Sequence, residues 1–124
     1  MKNFDTLLKL VEKHPVRGAI ILEPVRQLRP IIPGIRHHHE RYDGTGYPDG
    51  LAGEAIPLLA RVIAVADAFD AMTTDRPYRR ALTEAEGIEE VGRCAGTQFD
   101  PHLAEVFIDN FPSARALLVH GARA

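Results

Sequence analysis

The sequence predicts an all-α domain, a helical bundle, on three observations. No stretch sustains the polar–apolar alternation of a half-buried strand. Apolar residues recur three and four apart in several segments, as they do along one face of a helix. Those segments are punctuated by helix start and stop signals: His14-Pro15, Thr83 with Glu86, Gly96, and Asp100-Pro101.

Taken in order, Phe4, Leu7, Leu8 and Val11 share a helical face over residues 4–13. His14-Pro15 ends that helix and opens the next, because proline suits a first turn, where its missing N–H loses no bond. Residues 16–23 read as a short apolar helix ending near Pro24. Over 25–42, Leu28, Ile31, Ile32 and Ile35 keep helical spacing, with His38 and His39 one turn on. Pro30 and Pro33 interrupt this pattern and predict a break, with a new helix from about Pro33 to Tyr42. Residues 43–57 are dense in glycine, proline and aspartate and form a loop long enough to suggest function.

Pro57 opens the clearest helix, residues 58–73, with Leu59, Ile63, Ala66 and Phe69 or Asp70 along one stripe. A second loop, 74–82, holds Arg76-Pro77-Tyr78-Arg79-Arg80. Thr83 and Glu86 form a capping box for a helix to about Ala95, which Gly96 ends. Gly87 inside that helix costs about 1 kcal/mol of propensity relative to alanine. Asp100 caps a last helix from Pro101 to about Asn110, with Leu103, Val106 and Phe107 facing inward. Residues 112–124 read as a loosely held tail with one more short turn.

The 124 residues make one small domain or part of one. A net charge of −2 argues against bulk nucleic-acid binding, so DNA is not an expected partner. No apolar run approaches the ~20 residues of a membrane span. The N-terminus lacks the apolar core of a signal peptide. Cys94, the single cysteine, cannot form an internal disulfide, which fits a reducing cytoplasm. It reads as a small hydrophobe on a buried helix face, not as a catalytic thiol.

Chemistry concentrates in residues 37–53, where His37-His38-His39-Glu40 leads into a loop with Gly44, Gly46, Gly50 and Gly53. Imidazoles and a carboxylate ligate metals or handle protons. A histidine run is also the mark of a purification tag or a solvated stretch, but this run is internal and short. Asp67 lies mid-helix among apolar residues, where a bare charge is expensive, so it is paired with an N–H or arginine or bound to metal. Imidazoles with a carboxylate, such as His38, His39 and Asp67, suit zinc, iron or manganese. Read alone, His14 is only an N-cap. Consecutive helical residues point about 100° apart, so three in a row cannot face one ion, and His37 is left out. Asp43 is placed to bond its own loop backbone. Glu40 either orients a ligand histidine or faces solvent, and Arg76, Arg79 and Arg80 either bind anions or form a solvated basic loop.

His38-His39-Glu40 followed by Arg41-Tyr42-Asp43-Gly44-Thr45-Gly46-Tyr47-Pro48 resembles the HHE…DGxGYP signature of HD-GYP domains, a branch of the HD metal-dependent phosphohydrolases. The resemblance continues through Ile56-Pro57, Ala60-Arg61, the segment Val65 to Ala71, Arg76-Pro77-Tyr78-Arg79 and Gly96 to Pro101, covering about residues 14–107. It implies a helical bundle of HD type, in bacterial signal transduction, that hydrolyses cyclic di-GMP by metal-assisted attack on a phosphodiester. His14, His38, His39 and Asp67 match the family's metal ligands, Tyr47 and Pro48 its nucleotide pocket, and Arg76 and Arg79 its phosphate contacts. Asp70, one turn after Asp67, either ligates too or, like Glu40 and Asp43, reads as a residue that holds a ligand or the loop.

One departure counts against full activity. The family's HDxGK segment, with its adjacent His-Asp ligands and phosphate-binding lysine, has no match, because the sequence contains no His-Asp dipeptide. The resemblance therefore implies an N-terminally truncated domain, with Asp67 a remnant of the metal bridge. It implies one iron or manganese ion instead of two or three, and impaired hydrolysis by these residues alone. The alternative is a non-catalytic module that binds cyclic di-GMP or a diguanylate cyclase domain. Either a separate chain supplying the His-Asp half or self-association through an uncovered apolar face would follow from such a truncation.

Overall fold

The computed structural model describes residues 15–121, with side chains as far as Phe111. The helix expected over 4–13, His14, and the last residues of the tail lie outside the described residues. Among the described residues every regular element is helical, and β contacts are isolated bridges such as Asp43 with Ala52. The order is α1 (Pro15–Leu22), a 3-10 segment (Arg26–Ile31), α2 (Ile32–His37), a 3-10 turn (Gly53–Ala55), α3 (Leu58–Met72), α4 (Glu84–Arg93) and α5 (Pro101–Gly121). This is the all-α class expected. No described helix is long and apolar enough to cross a membrane.

Helix α3 is the axis of the molecule. It packs against α2, which carries α1, and against both α4 and α5. Two glycines set how closely the neighbours approach. A Cβ on buried Gly34 of α2 would lie 2.7 Å from Leu59 Cγ, and one on Gly87 of α4 would lie 2.9 Å from Phe69 Cε2. The propensity that Gly87 sacrifices therefore secures contact between α4 and α3. Between α3, α4 and α5 sits the core of Val65, Val91, Cys94, Phe99 and Ala104, with Phe69, Met72, Leu103 and Phe107 against it. Burial pushes the Cys94 thiol above its ordinary pKa, in keeping with its reading as a small hydrophobe.

Several boundaries and faces differ from the sequence reading. The segment 25–42 breaks at the prolines as expected, but α2 begins at Ile32 and ends at His37 instead of Tyr42. Beyond His37 the backbone turns: the Glu40 N–H bonds the His37 carbonyl, and the Tyr42 and Asp43 amides go to the carbonyls of Gln98 and Thr97. Tertiary bonds thus outcompete continuation of the helix. On α3 the buried positions are Ala60 and Val65, while Leu59, Ala66 and Asp70 are exposed. The inward stripe is displaced because α3 is gripped from two sides, not one. Val106 on α5 is exposed at 42 %, contrary to its expected inward position. It borders an apolar groove of about 260 Å³ with Val62, Val65, Ala66, Leu103 and Phe107. Helix α5 runs past Asn110 to Gly121, through Pro112. Proline forfeits one helix bond there, but Phe111 stacks on Phe69 with ring centroids 4.9 Å apart, which anchors the turn before it.

Local signals were accurate. Thr83 Oγ1 accepts from the Glu86 N–H at 3.1 Å and Glu86 Oε1 accepts from the Thr83 N–H at 2.9 Å, the reciprocal pair of a capping box. Asp100 caps α5, its Oδ1 accepting the N–H groups of His102 and Leu103 at 2.8 and 3.2 Å. It also does something the sequence did not reveal. Its Oδ2 takes Arg61 Nη1 at 2.7 Å, and Arg61 Nε donates to the Ile56 carbonyl at 2.9 Å. One carboxylate thus ties α3, the start of α5 and the end of the long loop together.

Burial pushes the Asp100 pKa up, but the Arg61 guanidinium and the two helix amides outweigh it and hold the carboxyl below its ordinary 3.8. A depressed carboxyl contributes stability above its unfolded pKa and loses it as pH falls through the folded value. Unfolding followed in urea should therefore show wild-type stability declining on acidification below about pH 4. Asp100→Ala, which leaves Arg61 uncompensated, should cost about 3 kcal/mol at neutral pH and flatten that acid dependence. Neutral-pH stability equal to wild type would contradict the clamp.

Candidate metal site

The turn that ends α2 and the middle of α3 face each other across a cleft of about 310 Å³. His38, His39 and Asp67 meet there, each offering a ligand atom within 4.8 Å of the other two. His38 is buried, and its Nδ1–H donates to the Ile35 carbonyl at 2.6 Å. A carbonyl can only accept, so this bond fixes the tautomer and leaves the lone pair on Nε2, as metal-ligating histidines are commonly held. His39 meets the Tyr47 hydroxyl through its own Nδ1. In the tautomer that carries a lone pair on Nε2, His39 donates to the tyrosine oxygen. The two imidazoles stand edge to face, centroids 4.3 Å apart. Two imidazoles and a carboxylate are a donor set that fits a divalent transition metal.

Tyr47 reaches His39 because the glycine loop folds back on the histidine turn. A Cβ on Gly46 would lie 2.5 Å from Arg41 N and 2.6 Å from His39 O, so no other residue fits. Gly44 and Gly50 take φ of 84° and 68°, values that side chains disfavour. The Tyr47–Pro48 peptide is cis. Asp43 Oδ1 accepts both the N–H and the hydroxyl of Thr45, at 3.0 and 2.6 Å. Those bonds, led by the hydroxyl, hold its carboxyl below the ordinary carboxylate range. This is the loop-ordering role expected of Asp43.

Glu40 neither faces solvent nor belongs to the three-donor cluster. Its side chain is fully buried, and it accepts from His37 Nδ1 at 3.0 Å and from the loop amides of Asp49 and Leu51 at 3.0 and 3.1 Å. His37, set aside from the sequence because three helical neighbours cannot share an ion, belongs to this second constellation with Asp49. Asp49 in turn takes Arg36 in a two-pronged pair at 3.2 and 3.3 Å. Sequence reasoning missed Arg36, Asp49 and Gln98. All three act through contacts nine or more residues away, which periodicity does not register.

The remaining expected residues fall outside this cleft. Asp70 is exposed on α3 and does not line it. Pro48, half-buried, lies in the loop beside Tyr47. Arg76 and Arg79 pair their backbones in a tight turn, N–H to carbonyl at 2.9 and 3.1 Å, around a separate surface hollow of about 370 Å³. Arg79 also donates to the Ala71 carbonyl of α3 at 2.9 Å, which aims this loop back along the helix that carries Asp67.

The HD domain family profile matches residues 4–103. The chain belongs to the HD-domain family, in its HD-GYP branch. It is 47 % identical over 105 residues to a cyclic di-GMP phosphodiesterase of Pseudomonas aeruginosa, covering 84 % of this chain and 25 % of that protein. It is 52 % identical over 104 residues to the cyclic di-GMP phosphodiesterase response regulator RpfG of Xanthomonas campestris pv. campestris, covering 82 % of this chain and 27 % of the relative. The crystal structure of a cyclic GMP-AMP specific phosphodiesterase of Vibrio cholerae superposes with a TM-score of 0.71 at 28 % identity, over 89 % of this chain and 25 % of that one. The chain thus spans about a quarter of the length of the curated relatives it matches. Membership implies a divalent metal, and the cluster of His38, His39 and Asp67 offers a place for one.

Glu40→Ala should loosen the whole site although Glu40 is not in the three-donor cluster. It strands two loop amides, each worth about 1–3 kcal/mol when buried without a partner. Limited proteolysis should then cut within 43–57 far faster than in wild type. Unchanged cleavage would show that the loop does not depend on this carboxylate.

Proposed function

We propose that this chain carries the metal-and-loop portion of a phosphodiesterase that hydrolyses cyclic di-GMP. The observation that carries the reading is the His38 Nδ1–H bond to the Ile35 carbonyl, which leaves a lone pair on the other ring nitrogen, able to ligate a metal beside His39 and Asp67. The names of the relatives, cyclic di-GMP phosphodiesterases among them, supply the substrate class.

His38, His39 and Asp67 would hold the ion, with His14 a further ligand by family resemblance, and iron or manganese is the proposed identity. When bound, the ion supplies Lewis-acid stabilisation of charge developing on the phosphoryl oxygens. The chain's own groups hold and position. The Ile35 carbonyl locks the His38 ring, and Tyr47 steadies His39 while its exposed face, with Pro48, borders the nucleotide. Arg76 and Arg79 offer cationic forks for phosphate.

A second reading rests on the sequence itself. The 124 residues contain no adjacent His-Asp pair to define a second ion. Binding without turnover is therefore the expected behaviour of these residues on their own.

The test combines three assays on the 124-residue chain. Manganese or iron titration should show binding that is lost when His38→Ala and His39→Ala are combined. Cyclic di-GMP should bind, and Arg76→Ala with Arg79→Ala should weaken it by about tenfold or more, as removal of charge-assisted bonds does. Hydrolysis should be very slow with either metal supplied. Equal metal binding by wild type and the double histidine variant would overturn the site. Robust turnover abolished by Asp67→Ala would overturn the expected insufficiency of these residues.

A further inference from the structure

Two cavities adjoin along α3. One is the cleft at His38, His39 and Asp67, and the other, of about 270 Å³, lies between α3 and α4. They share Ala68 and Gln98 as lining residues. The far wall of the second cavity includes Ala71, whose carbonyl receives Arg79. The two cavities therefore adjoin at Ala68 and Gln98, and Arg79 is bonded to the carbonyl of Ala71, which lines the second.

The second cavity is a mostly apolar slot. Ala68, Ala71, Met72, Cys94 and Phe99 line it, with Gln98 and Glu90 as its polar side chains. The Glu90 carboxylate at its border is engaged by Arg93 Nε at 2.9 Å. Apolar walls with a few hydrogen-bonding groups suit a nucleobase, since its faces are apolar and its edge is polar; here Glu90 is already engaged by Arg93 and Cys94, which leaves Gln98 to meet the edge. The backbone of Gln98 is held from both sides: its N–H donates to the Cys94 carbonyl at 3.1 Å, and its own carbonyl accepts the Tyr42 N–H at 3.2 Å. Its Cα is thereby held between the end of α4 and the glycine loop, at the border of both cavities.

We propose that this cavity receives one purine base of a cyclic dinucleotide and that the Gln98 amide hydrogen-bonds the base edge. The inference rests on the reading of the chain as a cyclic-dinucleotide site and assigns the residue that sets its base preference. A carboxamide presents a donor and an acceptor side by side, and rotating it by half a turn exchanges them. Guanine offers an acceptor at O6 beside a donor at N1, and adenine a donor at N6 beside acceptors at N1 and N7. Glutamine therefore accepts either purine. A glutamate at this position, acceptor-only when ionised, keeps the donors of guanine and opposes the ring acceptors of adenine.

Equilibrium binding of cyclic di-GMP and cyclic di-AMP to the full 124-residue chain tests this, with Gln98→Glu, Gln98→Leu and Ala71→Leu beside wild type. Wild type should bind the two within about tenfold of each other. Gln98→Glu should shift the ratio about tenfold toward cyclic di-GMP, and Gln98→Leu should weaken both by about tenfold, as loss of a paired hydrogen bond does. Ala71→Leu, which adds volume to the wall, should weaken both without altering Gln98. Thermal unfolding should stay at wild-type values in all three, and manganese binding should be unchanged in Ala71→Leu, whose side chain lies outside the cleft of the donor cluster. If wild type binds dinucleotide and neither the Gln98 variants nor Ala71→Leu change affinity or preference, the base pocket is overturned while the functional reading stands. If wild type binds neither dinucleotide, both fall together.

Discussion

The site depends first on one buried carboxylate. Burying a charge without partners is expensive, and Glu40 has no exposed side-chain surface. Its cost is offset by three acceptor bonds, and the partners are the reason it matters: an imidazole at the end of α2 and two amides in the middle of the glycine loop. The loop is therefore fastened to the histidine turn at a point between its two ends. Gly46 then lets the backbone lie directly on the turn, and Tyr47 arrives at His39. The placing of the His39 ring follows from that fastening, while the His38 ring is held by the Ile35 carbonyl at the end of α2.

The opposite wall is set by a different pair. Gly34 brings α2 close to α3, which determines where Asp67 stands relative to the histidines. Arg61 and Asp100 secure α3 to the start of α5. The segment leading into that helix supplies the Thr97 and Gln98 carbonyls that receive the amides of Asp43 and Tyr42. The loop is thus held at its base by one clamp and at its middle by the other. The bidentate bond between Arg36 and Asp49 adds a third, more exposed tie whose contribution to stability is small by comparison.

What could be read from the sequence was what is local. The capping box of Thr83 and Glu86 and the cap at Asp100 span three residues or fewer, so their types and spacing determine them. The second role of Asp100 could not be read, because Arg61 lies 39 positions away. His38, His39 and Asp67 were legible as chemistry and became specific through the family's ordered motif. His37 was correctly separated from them, but on an argument from helix rotation that does not apply, since α2 ends at His37 and the other two histidines sit on a turn. Its place is with Glu40 and Asp49. The stripe on α3 was misplaced because periodicity identifies an apolar face only for a helix with one buried side. Here Ala60 and Val65 are buried between neighbours on two sides while Leu58 and Val62 stay exposed.

The central claim is that the histidine turn and α3 together form a preorganised ion site, and anomalous diffraction addresses it most directly. Crystals of the chain grown with manganese, with data collected near the manganese absorption edge, should show an anomalous peak within coordinating distance of His38 Nε2, His39 and Asp67. The Nδ1 atom of His38 should still be bonded to the Ile35 carbonyl. A peak at His37, Glu40 and Asp49 instead, or an ion at the histidines that leaves Asp67 uncoordinated, would contradict the account.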